Sequence, residues 1–322
     1  MTDTPSSLEP QGSTTGTESL INAAEELVDR AIAFMEPYTE ITWKAGVENP
    51  KKLAAAFCVK RQIDGIRAAI TLARAGLGHM SASFIRPACE DLFWLSYLDK
   101  LDAQVAKRLL GAMTALDASR SVIAQQQYSG KKTMTRLGFP AKFVKYSYAN
   151  KLQSEAVLKE LSGTLGWPNT DEGVLPPTAW VAAQTGNSKL YDFLYSATSR
   201  VVHFSMGEVA RRGWSIPEDG DPQNSIIDFN SPNHLNYRTD FALYWCCHLF
   251  ALTWPTALSC LEADLEGADE GVLDVYTEAL KRLASHGKVP VTLPSEFNLR
   301  TTARAGVNSS NAKRANSRGS RG

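Results

Sequence analysis

Residues 241–261 read FALYWCCHLFALTWPTALSCL, twenty-one positions without an Asp, Glu, Lys or Arg. That length can span a bilayer, and it can equally lie buried on every side inside a helical bundle. His248, Thr253, Pro255, Thr256 and Ser259 lower its hydropathy, and no second stretch of this kind occurs. The flanks offer no positive-inside cluster: Arg238 and Asp240 precede it, and Glu262, Asp264 and Glu266 come after. The segment is therefore read as the core helix of a bundle, with no membrane partner.

Outward from it the 3.6-residue period recurs. Thr17 or Ser19 can cap a helix running to Met35, where Pro37 ends it. A second runs from Lys51 to about Ala75, and Gly76 and Gly78 punctuate the chain before His79. Ser81 or Ser83 opens a third, FIRPACEDLFWLSYL, with Pro87 in its first turn. Further helical patterns cover Asp102 to about Gln127, 139–165, 178–185 and 190 to about 202, then 233–262 and 269–285. Residues 166–177 form a loop, and 207–232, rich in Gly and Pro, form a long irregular connection. Its only strand-like piece is SIIDF at 225–229. The fold class is all-α: a bundle of about eight to nine helices, with 18–290 as one domain. Residues 1–17 are expected to form a disordered leader, and 291–322 a disordered basic tail.

The composition narrows the function classes. Lys plus Arg equal Asp plus Glu at 34 each. Six bases and no acid lie in 300–322, and three acids and no base in the first twenty residues, which leaves about −3 between them. Nucleic-acid binding is thus expected through the tail, not on the core. The five cysteines form no CxxC pair and sit in apolar contexts, as reduced thiols of a cytoplasmic protein do. The N-terminus shows neither the basic nor the apolar region of a secretory signal. The histidines are too scattered for a metal site, no nucleotide-binding or hydrolase motif occurs, and no cofactor is implied.

Two stretches carry candidate chemistry. Arg86 and Glu90, four apart on one helical face, stand among Phe84, Ile85, Phe93 and Trp94. In LYDFLYSATSRVVHFSMGE, residues 190–208, one stripe carries Tyr191, Tyr195, Ser199 and Val202, and a neighbouring one Ser196, Arg200 and His203. His203 closes the helix, where the dipole favours its cationic form. The two stretches are expected to pack side by side, with His203 or Tyr195 within hydrogen-bonding reach of Arg86 or Glu90.

The pairing of RPACEDLFWLSYL with LYDFLYSATSRVVHFS resembles a family of bacterial all-helical proteins known only as a domain of unknown function. Their pattern is RxxxE and then, far downstream, YxxxSxxxHxS, here Arg86, Glu90, Tyr195, Ser199, His203 and Ser205, over about residues 51–261. The resemblance implies a helical fold and a polar cluster, and suggests an accessory in bacterial stress or phage defence. A weaker similarity is to HEPN-type helical domains, some of them RNases that use an Arg and a His on one helix. Here Arg200 and His203 are only three apart.

Three readings stand open. The first is a non-catalytic helical module, acting with a protein partner or as a homodimer, in which Arg86, Glu90, Tyr195 and His203 tie helices together. The second is a metal-independent RNase with His203 as acid or base and Arg86 or Arg200 as charge stabiliser. The third is a small-ligand pocket lined by Trp94, Tyr97, Tyr195 and Trp245.

Overall fold

The computed structural model describes residues 14–40, 49–168, 173–203, 214–218, 221–228, 232–262, 270–285 and 289. In chain order the elements are α1 (Thr14–Met35), α2 (Pro50–Arg74), α3 (Ile85–Lys100), α4 (Ala103–Arg136), α5 (Ala141–Leu165), α6 (Thr178–Gln184) and α7 (Ser196–Val202). Strands β1 (Trp214–Glu218) and β2 (Asp221–Asp228) come next, then α8 (Pro232–Leu261) and α9 (Glu270–Ser285). A 3₁₀ segment, Gly78–Phe84, leads into α3. A short turn, Ser188–Leu190, and a π-helical turn, Tyr191–Tyr195, lead into α7.

The apolar stretch lies in α8, which packs against α1, α2, α3, α9 and the 3₁₀ segment. Leu243, Cys247, Leu249, Phe250, Ala257 and Leu261 are all buried. The helix is long and apolar enough to cross a membrane, yet 67% of its most apolar window is buried within the protein. Its polar side chains are used locally. Thr253 donates to the Leu249 carbonyl at 2.8 Å and accepts from Gln62 Nε2 at 3.2 Å. The 3₁₀ segment approaches α8 so closely that a Cβ on Gly78 would stand 2.9 Å from Thr239 Cβ, so only glycine fits there.

The helix ends obey local chemistry. Asn49 accepts from Lys51 N at 3.1 Å to cap α2, and Asp102 accepts from Gln104 N and Val105 N at 2.9 Å to cap α4. The α1 cap differs from expectation. The helix starts at Thr14, so the leader's last residues are helical, and Thr17 instead donates to Asp240 on α8 at 2.7 Å. No serine caps α3 either: Phe84 stands at its N-cap, and Ser83 donates to the Met80 carbonyl at 2.9 Å. The rest of the leader and the tail from 291 on lie outside the described residues.

Two further departures matter. The α4 periodicity predicts an end near Gln127. The helix breaks at Gly130 (φ 78°, ψ 162°) and then resumes to Arg136, because glycine takes the positive φ without a steric penalty. The long connection holds an antiparallel hairpin, in which β1 pairs with β2 from Trp214↔Asp228 to Glu218↔Asp221. The strand-like SIID lies in β2; β1, with Pro217 inside it, carries no strand signal. The protein is nonetheless an all-α bundle carrying one small hairpin.

Candidate functional site

Arg86 and Glu90 leave α3 in its first turn and a half, where Pro87 is tolerated because the first N–H groups of a helix lack intrahelical partners. Opposite them, Tyr195, Ser199 and His203 recur every fourth residue. A four-residue step advances about 400° around a helix, so the three side chains drift only about 40° per step and share a face. The π-helical turn ends at Tyr195 and sets the register of that face. His203 then leaves the helix in an extended conformation (φ −107°, ψ 154°), its N–H still bonded to the Ser199 carbonyl at 3.0 Å.

All these groups converge on one guanidinium. Arg86 Nη1 donates to Ser199 Oγ at 2.8 Å and lies 2.7 Å from His203 Nε2. Nη2 donates to the Tyr195 hydroxyl at 2.8 Å, and Nε reaches Glu90 Oε1 at 3.4 Å. The Tyr195 hydroxyl in turn donates to Glu90 Oε1 at 3.1 Å. Since arginine can only donate, His203 Nε2 must accept, and the ring proton sits on Nδ1. Arg86 Cζ also stands 4.7 Å from the centroid of the Tyr195 ring, which stacks on Tyr191 at 4.8 Å. Burial holds the Tyr195 phenol above its ordinary value, and the nearby Glu90 carboxylate adds to the rise.

Four of the five sequence candidates thus meet: Arg86, Glu90, Tyr195 and His203, joined by Ser199. Arg200 does not. It is exposed on α7 and makes no hydrogen bond or ion pair with the Arg86 group, because the fourfold spacing sets His203 with Tyr195 and Ser199. Ser205 lies outside the described residues. Of the four rings proposed as one pocket, Trp94 and Tyr97 touch each other, and Tyr195 and Trp245 each pack on other rings. Tyr97 packs between Trp94 and Trp180, Tyr195 stacks on Tyr191, and Trp245 meets Phe193 and donates to the Val289 carbonyl.

A second charged group carries no motif in the sequence. Asp91, adjacent to Glu90 but about 100° further around α3, has its side chain 2% exposed and receives both Arg61 Nε, at 3.1 Å, and Nη2. Burial pushes the Asp91 carboxyl up, and Arg61 offsets part of that rise. One signal was present: Asp91 is four residues from Leu95 and three from Ala88, on a buried stripe. Beside this pair a cleft of about 570 Å³ opens between α2, α3 and α4, lined by Phe57, Trp94, Leu98, Met113 and Glu90 among others. Burial disfavours the thiolate form of the cysteines: desolvation raises Cys58, Cys89 and Cys247, and pushes Cys246 and Cys260 up to about 12.

The fold and cluster define a helical protein built around a single arginine shared between two separate chain segments. A family model for a family of unknown function, DUF5677, matches residues 52–221, and the chain belongs to that family. The match begins in α2, takes in both halves of the Arg86 group and ends before α8. No curated protein and no solved structure matches the chain.

Proposed function

We propose that the protein is a non-catalytic interaction module of the cytoplasm, in which the Arg86 group clamps the α7 segment to α3. The observation that carries this reading is that protein groups, those of Glu90, Tyr195, Ser199 and His203, take four of the five N–H donors of the guanidinium. A group meant to receive a phosphate keeps donors open, and a general base keeps its lone pair open. Here the Nε2 lone pair of His203 is taken by Arg86. An accessory role in bacterial stress or phage defence belongs to this proposal through the family resemblance.

One observation favours the RNase alternative: His203 is exposed, so a substrate could reach it once Arg86 let go. In that reading Arg86 is the charge stabiliser, since Arg86 and not Arg200 contacts His203. His203→Ala separates the two. The clamp predicts a loss of about 1–1.5 kcal/mol, a melting temperature lower by about 3–6 °C, and no RNA cleavage by either form. Cleavage by the wild type that disappears in an equally stable variant would overturn the clamp.

A further inference from the structure

We propose that the outer half of the α4–α5 hairpin is a binding surface for single-stranded nucleic acid. Residues 118–154 hold seven Lys or Arg and no Asp or Glu, in a chain whose net charge is zero. Arg120 and Lys151 are compensated by Glu155, at 3.7 and 3.8 Å. Lys131, Lys132, Arg136, Lys142 and Lys145 are exposed and have no ion-pair partner among the described residues. Five uncompensated cations thus lie within fifteen residues.

The arm is built to present them. Helix α5 packs chiefly on α4. Ile123, Met134 and Val144 are buried on these two helices and lie outside the main core cluster. The outward faces then stay free. On α5, Lys142, Lys145 and Tyr146 share a side at i, i+3 and i+4.

Charge alone suits any polyanion; the aromatic residues decide which. Tyr128 is 96% exposed and Tyr146 63%. A bilayer would engage the tip at 137–140, yet Tyr128 stands before the break at Gly130, away from that tip, and Tyr148 lies about 10 Å into α5. These rings flank the run of cations, Tyr128 before it on α4 and Tyr146 and Tyr148 after it on α5. Flat rings set beside cations are what an unpaired strand uses: its phosphates meet the cations and its bases stack on the rings.

The test uses the full chain and a fluorescein-labelled twenty-nucleotide oligo-dT, read by anisotropy across salt concentrations. DNA lacks the 2′-hydroxyl, so the probe stays intact whatever His203 does to RNA. Replacing the five cations together (Lys131→Gln, Lys132→Gln, Arg136→Gln, Lys142→Gln, Lys145→Gln) should weaken binding at least 10-fold and lower the log K against log salt slope by about 3.5. Tyr128→Ala with Tyr146→Ala should weaken it about 30-fold or more and leave the slope unchanged. An unaffected five-site variant overturns the proposal and moves binding to residues 300–322. So does a tyrosine variant that binds like the wild type while the five-site variant loses phosphatidylglycerol vesicles, which would make the arm a lipid contact. A wild type that ignores oligo-dT at low salt overturns it outright.

Discussion

Arg86 and Lys132 are both cations on amphipathic helices, and they sit in opposite circumstances. Arg86, 24% exposed, has protein acceptors for four of its N–H bonds. Lys132 and its neighbours on the α4–α5 arm are exposed and have no ion-pair partner among the described residues. A cation surrounded by protein acceptors is part of how the chain holds its shape. A cation left to water adds little to stability and remains available to a ligand. The contrast separates residues that fix the fold from residues that meet something else, although residue type and helical position look alike.

The largest effect should come from breaking the paired side. Arg86→Ala leaves Tyr195, Ser199, His203 and a half-buried Glu90 without their common donor. After allowance for solvent access, this costs about 2–3 kcal/mol, or roughly 5–10 °C in melting temperature. Arg86→Lys should recover only a minor part of that loss, because an ammonium cannot fork to four acceptors.

Tyr195→Phe removes the hydroxyl that links Arg86 to Glu90 and should cost about 1 kcal/mol at neutral pH by denaturant unfolding. Its pH dependence sharpens the point. The folded phenol is raised, so its contribution is fully present below the ordinary phenol value of about 10 and is lost as pH rises through the folded value. The wild type and Tyr195→Phe should therefore converge in stability above about pH 10. A constant gap would contradict a phenol raised by burial. The smallest effect belongs to the arm: each of the five glutamine substitutions made singly should leave the melting temperature within about 1–2 °C of the wild type, since a single surface change stays within about 0.5 kcal/mol. A large drop would mean the arm cations hold structure after all.

Much of this architecture was readable from periodicity. The boundaries of α2, α6, α8 and α9 fell within about two residues, because Asn49, Pro177 and the breaks around 262–269 punctuate the sequence clearly. The meeting of Arg86 with Tyr195 and His203 was also legible, since fourfold spacing puts Tyr195, Ser199 and His203 on one face. Placing His203 with Arg200 instead was an error of stripe. The extra residue of the π-helical turn has no sequence signature, so the register before Tyr195 was not readable. Asp91 is easily passed over because it comes directly after Glu90, and only its stripe with Ala88 and Leu95 marks it as inward. The arm stayed hidden for a different reason. Averaging charge over the whole core gives about −3, which conceals 118–154 at +7 among acidic surroundings.

The clamp requires Arg86 and His203 to act as one unit across 117 residues of chain. A double-mutant cycle of Arg86→Ala and His203→Ala, read by denaturant unfolding, measures that directly. The clamp predicts that the double variant is more stable than additivity requires, with a coupling of about 1 kcal/mol or more. Losses that add to within about 0.3–0.5 kcal/mol would show two independent residues and contradict it.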